Sequence, residues 1–297
     1  MLFRSGLLDF ALFKEIVEEA RKLGAIAISL NGGEPTLHPN IVDMLEISTK
    51  NFRTDIFTNA TKITEEFCKS ILNLSIDKFF ISLDGFEKHH DKVRGDGNYQ
   101  KTLEGIRLLK KNGFRVWINS ILHQENEDEL PQFQKFCMET LKVNGMKFVP
   151  VNPIGNAKQN MEMFKYPEKT RNSLVEFPNA VEDSHPMRKS NILKCRAGLG
   201  TIYITAKGEV YPCNYFRRAA FCIGNINQNK LSELYLAHLK KDSIFTNFDE
   251  SKLESCKGCP ALKSCAGGCR ARALVFTGDV YGKDPLSCAT RGFLKSI

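Results

Sequence analysis

The sequence lacks a membrane span, a secretion signal and an internal repeat. Its longest apolar runs, such as Phe79 to Leu83 and Val116 to Leu122, stop far short of the ~20 residues a bilayer requires, so no membrane role is expected. The opening residues carry one arginine but no sustained apolar stretch and no small-residue cleavage site, which excludes a signal peptide and points to the cytoplasm. A dominant charge is missing too. The 42 basic residues stand against 34 acidic ones, a net charge of +8, and they are scattered in short groups such as Lys110-Lys111 and Arg217-Arg218. Without a basic motif interleaved with aromatics, no nucleic-acid partner is expected. Cysteine is scarce at the start, none preceding Cys68, whereas eight of the ten crowd into the last third from Cys195 onward. In a cytoplasmic protein that crowding favours metal over disulfides.

At 297 residues and 42% hydrophobic, the chain can bury a substantial core and divide into a large and a small domain. From Asp9 to about Val151, amphipathic segments alternate with short apolar, β-branched runs, the pattern of βα units on a parallel sheet. Strands are expected near Ala25–Leu30, Thr54–Thr58, Lys78–Leu83, Arg115–Leu122 and Met146–Val151. Helices are expected over Phe10–Leu23, Ile41–Lys50, Thr64–Leu72, Tyr99–Asn112 and Glu127–Leu141. Such architecture normally begins with a strand and this chain begins with a helix, so the first unit reads as incomplete. Leu2-Phe3-Arg4-Ser5 also looks like a translated sequencing-adapter end. Truncation is the expectation, with an alternative start as its rival. After Val151 the periodicity fades through a linker with one expected helix around Pro167–Phe177, and from about Lys189 short strands, turns and cysteines take over. The expected domains are 1–188 and 189–297.

At the end of the first expected strand stands Asn31-Gly32-Gly33-Glu34-Pro35. Two residues without Cβ allow close backbone approach to a ligand, and the carboxylate beside them can accept charge-assisted hydrogen bonds from an ammonium group. On physics alone the same residues could be a tight turn before the next helix. Gly32-Gly33-Glu34-Pro35 resembles the hallmark of radical S-adenosylmethionine enzymes. Thr58-Asn59-Ala60-Thr61, Ile81-Ser82-Leu83-Asp84-Gly85 and Arg94-Gly95 follow in the order of that family's later strand ends. The resemblance implies a partial (β/α)6 TIM-like barrel in the α/β class, lacking its first strand. It further implies that Gly32, Gly33, Glu34, Pro35, Asn59, Ser82, Asp84 and Arg94 bind S-adenosylmethionine, with Arg94 at the cofactor carboxylate. The family binds its catalytic 4Fe-4S cluster through a C-x3-C-x2-C loop, which this sequence does not contain, so the chain as given is expected to be inactive. Cys68, beside Phe67 and Ile71, reads as a core residue instead.

Cys256-x2-Cys259-x5-Cys265-x3-Cys269, followed by Cys288, is a strong metal pattern, because short spacings let thiolates converge while Gly258, Pro260, Gly267 and Gly268 shape the backbone. Iron-sulfur clusters and tetrahedral zinc are both open on that pattern. With Cys195 and Gly208-x4-Cys213 upstream, the arrangement resembles the SPASM domain of peptide- and protein-modifying radical enzymes. That resemblance implies an outer auxiliary cluster on Cys256, Cys259, Cys265 and Cys288. An inner one would sit on Cys195, Cys213 and Cys269, with Cys269 crossing away from its sequence neighbours. The inner cluster needs a fourth ligand, for which Cys222 is the only spare cysteine nearby; its strand-like run favours a buried apolar role over ligation, and an open iron site is the other alternative. Sulfatase-maturing members place a carboxylate after the cysteine corresponding to Cys213; Asn214 stands here, which argues against that reaction. The implied parent enzyme cleaves S-adenosylmethionine reductively and abstracts hydrogen from a peptide, protein or cofactor precursor. Some members act on small molecules such as tetrapyrroles. The implied electron donor is an external flavodoxin or ferredoxin. The rival from another class is a non-catalytic binding module stabilised by zinc or iron-sulfur.

Overall fold

A computed structural model describes residues 6–122, 125–150 and 193–290, which fall into two compact units, 6–150 and 193–290. The helix expected around Pro167–Phe177 and the domain boundary at 188 lie outside the described residues.

The first unit opens with helix α1 (Phe10–Lys22), whose N-terminus is capped where the Leu12 amide donates to Asp9 Oδ1 at 2.9 Å. Strand β1 (Ala27–Leu30), α2 (Ile41–Asn51), β2 (Arg53–Thr58), α3 (Glu65–Ser70) and β3 (Ile76–Ser82) follow. Next come α4 (Glu87–Arg94), α5 (Asn98–Lys111), β4 (Val116–Leu122), α6 (Leu130–Lys135) and β5 (Gly145–Pro150). The five strands form one parallel sheet in the order β1-β2-β3-β4-β5, as expected of a partial barrel. All five expected strands are found within two residues of their expected limits.

Alternation along the strands separates two faces. Ile56, Phe79, Ile81, Val116 and Ile118 are wholly buried, and with Leu45, Ile71, Ile106 and Leu109 they make the core. The other face is half-buried and carries a row set by strand register: Phe57 opposite Phe80, Phe80 opposite Trp117, Trp117 opposite Gly145. Phe57 and Phe80 stack at 4.6 Å, and Lys147 Nζ stands 4.8 Å from the Phe80 ring centre. Gly145 is required there, since a Cβ would lie 2.8 Å from the Trp117 ring. Behind the end of β2, α5 comes backbone to backbone: a Cβ on Gly105 would sit 2.2 Å from the Ala60 carbonyl oxygen.

Two helical expectations need correction. The segment Glu87–Arg94 had no helix assigned, yet it forms α4, and the only residues it buries are His89 and His90, so no apolar stripe marked it. The single helix expected over Glu127–Leu141 is broken into a 3-10 turn at Glu127–Glu129, α6, and a π turn at Phe136–Thr140. Pro131, without an N–H, sits in the first turn of α6, where the helix can begin but could not run through.

The second unit holds a small antiparallel sheet of β6 (Tyr203–Ile204), β7 (Glu209–Tyr211) and β8 (Gly224–Asn225). Helices α7 (Leu231–Leu239), α8 (Leu262–Cys265), α9 (Arg270–Thr277) and α10 (Pro285–Thr290) follow. Its apolar cluster is modest, built on Leu193, Phe216, Phe245, Phe248 and Leu253, with Phe216 edge-on to Phe245 at 5.0 Å. So small a core suits a unit whose folding is completed by bound metal. Among the described residues no helix is long and apolar enough to cross a membrane.

Candidate cofactor site and metal centre

The residues after β1 and β2 are stapled together by one side chain. Glu34, 6% exposed, accepts at Oε1 from the Thr36 amide (3.1 Å), the Thr36 hydroxyl (2.6 Å) and the Thr58 hydroxyl (2.5 Å). Its Oε2 accepts from the Asn59 amide at 2.7 Å. The carboxylate therefore spends most of its capacity ordering two loops and keeps room for a further donor only at Oε2. Gly32 and Gly33 lie exposed beside it, Gly32 at φ +147° with nothing within 4 Å of a Cβ position, and Pro35 starts a single 3-10 turn. Without Cβ atoms the backbone here is exposed on this side. Asn59 is half-buried; its Oδ1 accepts from the Thr61 amide and hydroxyl, and its carbonyl accepts from Thr102 Oγ1 at 2.9 Å.

Ser82 closes β3 half-buried, and the loop beyond it is organised by Asp84, which is 0% exposed. Its Oδ2 accepts from Arg94 Nε at 2.6 Å and its Oδ1 from the Ile121 amide at 2.8 Å. The Asp84 amide donates to His90 Nδ1 at 3.2 Å, and Asn126 Nδ2 donates to the Asp84 carbonyl at 3.1 Å. His90 can accept there because desolvation pushes its pKa down to about 4 and keeps it neutral. Asp84 is thus committed within the protein. It holds Arg94 through Nε, and the Arg94 side chain is partly exposed. His90 and Asn126 were not singled out from sequence; a polar helix following Asp84 was the available signal.

In the second unit Cys256, Cys259, Cys265 and Cys288 line one cavity of about 270 Å³, with Gly258, Pro260 and Gly267 in its wall. Among the described residues no three His, Cys, Asp or Glu side chains converge closely enough to hold one ion. Burial pushes the Cys288 thiol up to about 11, with Cys265 and Cys256 near enough to add to the shift. Cys195, Cys213 and Cys269 lie within electrostatic reach of one another. Burial raises Cys213 to about 11 against hydrogen bonds from the Tyr215 and Phe216 backbone, and Cys269 and Cys195 push it the same way. The Cys195 thiol is likewise raised by desolvation first, with Cys269 adding to it, although the residue as a whole is exposed. Gly267 and Gly268, at φ +76° and +78°, turn the chain between Cys265 and Cys269, and the Cys269 amide donates to Asp284 Oδ2 at 2.8 Å.

The remaining cysteines divide. Cys68 and Cys137 are buried, and desolvation pushes their thiols to about 11 and about 12, as suits inert core residues. Cys222, expected to be buried, is exposed, following a 3-10 turn at Ala219–Phe221 rather than lying in a strand, with its Sγ 3.4 Å from the Gly224 carbonyl. The spacing of the sheet explains this, because β8 begins only at Gly224.

A parallel α/β sheet with loops ordered at its strand ends is followed by a unit whose cysteines line a cavity. The radical SAM superfamily model matches residues 3–137, and that of the SPASM iron-sulfur cluster-binding domain matches residues 195–260. The chain thus carries a radical SAM domain followed by a SPASM domain, and these domains imply S-adenosylmethionine and 4Fe-4S clusters as cofactors. Cys265, Cys269 and Cys288 lie beyond the matched SPASM segment. Relatives include the AdoMet-dependent heme synthase of Methanosarcina barkeri, 25% identical over 305 residues, covering 92% of this chain and 85% of that protein. The PqqA peptide cyclase of Gluconobacter oxydans is 24% identical over 306 residues, covering 95% and 82%. Among solved structures, anSMEcpe with bound AdoMet and Cp18Cys peptide superposes with a TM-score of 0.69 at 16% identity, covering 97% and 88%. Streptococcus suis SuiB bound to precursor peptide SuiA gives 0.70 at 18%, covering 92% and 67%. These structural likenesses establish the fold.

Proposed function

We propose that this chain binds S-adenosylmethionine at the C-terminal ends of β1 to β3 and holds two auxiliary 4Fe-4S clusters in its second unit, in an enzyme that abstracts hydrogen from a peptide or protein. The cofactors supply reductive cleavage of S-adenosylmethionine. The chain's own residues bind and orient. Gly32 and Gly33 offer open backbone, Glu34 Oε2 accepts from the ammonium group, and Asn59 and Ser82 line the approach. Arg94, held through Nε by Asp84, turns its remaining nitrogens to the carboxylate. The outer cluster takes Cys256, Cys259, Cys265 and Cys288, and the inner one Cys195, Cys213 and Cys269.

The observation that carries this reading is the cysteine-lined cavity of about 270 Å³, whose size suits a polyatomic cluster. A peptide substrate is supported by the PqqA peptide cyclase and by SuiB with its precursor peptide, and the heme synthase marks a small molecule as the other outcome. An external flavodoxin or ferredoxin completes the scheme as electron donor. Anaerobic reconstitution tests it: a brown protein with about eight irons and eight acid-labile sulfides per chain is expected. A colourless protein that takes up zinc instead overturns it. Because no C-x3-C-x2-C is present in these 297 residues, the reconstituted chain should form no 5′-deoxyadenosine from S-adenosylmethionine. Formation above the reagent blank refutes that.

A further inference from the structure

Directly after Cys269 lies a charge that the ligand set does not explain. Arg270 is 1% exposed, the largest fully buried side chain of the described residues. Its Nη1 donates to the carbonyls of Val280 (3.0 Å) and Gly282 (2.9 Å), and its Nε points to the Gly268 carbonyl at 3.4 Å. These bonds tie down the loop before α10. Nη2 has no hydrogen-bond partner among the described residues. That end of the guanidinium lies 2.6 Å from where a Cβ on Gly267 would be, and Gly267 lines the cysteine cavity. A buried donor without an acceptor costs ~1–3 kcal/mol, more when charged, so a purely structural clamp leaves this atom unexplained.

The charge balance points the same way. Asp284, wholly buried, is engaged by Arg272, whose Nη2 donates to Oδ2 at 2.8 Å and whose side chain is itself largely buried. Among the described residues no carboxylate lies within ion-pair distance of Arg270, and Asp284 already holds Arg272. An unbalanced buried cation is strongly unfavourable. Desolvation opposes the Arg270 charge, while Asp284, Cys256, Cys269 and Cys265 are close enough to favour it. Two of those cysteines belong to the outer set and one to the inner. A thiolate-ligated cluster is an anion, and reduction adds one further negative charge, so a fixed neighbouring cation favours the reduced form.

Building on the cluster assignment above, we propose that Arg270 donates through Nη2 to a sulfur of the outer auxiliary cluster and raises its reduction potential. Arg270 is a positioning and tuning residue here, since it ligates no iron. The test uses the full 297-residue chain, reconstituted anaerobically, with cluster potentials read by EPR-monitored redox titration and the outer signal identified by its loss in Cys288→Ala. In Arg270→Gln, which keeps a donor and loses the charge, the reduced-to-oxidised ratio of the outer cluster at fixed solution potential should fall about tenfold, or 59 mV for one electron. Arg270→Lys should retain most of the wild-type potential. Equal outer potentials in all three proteins at full iron and sulfide content overturn the proposal. Should Arg270→Gln fail to retain iron, wild-type chain labelled with guanidino-15N arginine decides. A 15N coupling to the reduced outer cluster that disappears in Arg270→Lys supports the donor, and no coupling overturns it. Wild-type chain without iron and sulfide would instead overturn the cluster assignment, and this proposal with it.

Discussion

Glu34→Ala should cost far more stability than a surface carboxylate would, because the side chain is a shared acceptor for two loops. Removing it strips four hydrogen bonds, from the Thr36 amide and hydroxyl, the Thr58 hydroxyl and the Asn59 amide. The hydroxyls can rotate toward other acceptors, so the lasting loss falls on the two amides. At ~1–3 kcal/mol for each donor left unpaired, destabilisation of about 2–6 kcal/mol is expected, against the ~5–15 kcal/mol by which domains are stable. With a urea slope of ~1–3 kcal/mol/M, a loss near 3 kcal/mol lowers the unfolding midpoint by about 1–3 M. The chain contains one tryptophan, Trp117 in β4, so its fluorescence reports the first unit alone. Glu34→Gln retains an acceptor and should fall between the two. A loss below ~1 kcal/mol in Glu34→Ala would mean that the carboxylate carries little load in the free protein and that its hydrogen bonds wait for a ligand.

Three further outcomes follow from the geometry. Cys265→Ala should remove one cluster and Cys269→Ala the other, each lowering iron by about four per chain; loss of the same EPR signal in both variants would break the two-set assignment. His90 has a folded pKa near 4 against an ordinary 6.5, so the unfolded chain binds the extra proton between those values. Its contribution is complete above pH 6.5 and is lost as the pH falls toward 4, up to about 3 kcal/mol, and a His90→Phe chain whose urea midpoint keeps the same pH slope over that range contradicts this. In an enzyme form that carries the C-x3-C-x2-C loop, Asp84→Asn should weaken S-adenosylmethionine binding about tenfold by releasing Arg94, roughly 1.4 kcal/mol. Calorimetry showing unchanged affinity in a folded variant would mean that Arg94 needs no holding.

The sheet was legible because its strands are apolar and β-branched between turn residues, and that signal survives without tertiary information. Residues whose role depends on a distant partner were not. Glu34 reads as a ligand for ammonium, yet Thr58 and Asn59, over twenty residues away, supply two of the four hydrogen bonds it accepts. Asp84 reads as a turn residue or a cofactor contact, and only the fold shows Arg94 and the Ile121 amide closing on it. Arg270 looks like an ordinary surface cation from its neighbours in sequence, since no local pattern marks a guanidinium for burial. α4 hid for the converse reason: its buried residues are histidines, which a search for apolar periodicity passes over. The cysteine spacing marked a metal site but left zinc and clusters open, because thiolates at such spacings suit either, and it is the match to the SPASM domain that favours clusters.

The contact of Gly105 with the Ala60 carbonyl decides which way the strand-end site can change shape. Helix α5 backs the loop that carries Asn59, fastened by the Thr102 hydroxyl, and its bare Cα leaves no slack between the two backbones. Even a methyl group at 105 would need the helix or the loop to move by about an ångström, against packing that resists compression. The rear of the site is therefore an anvil. A group pressing on Asn59 gains no room there, and any widening of these strand ends has to come from the side of Gly32, where no described atom lies within 4 Å of a Cβ position.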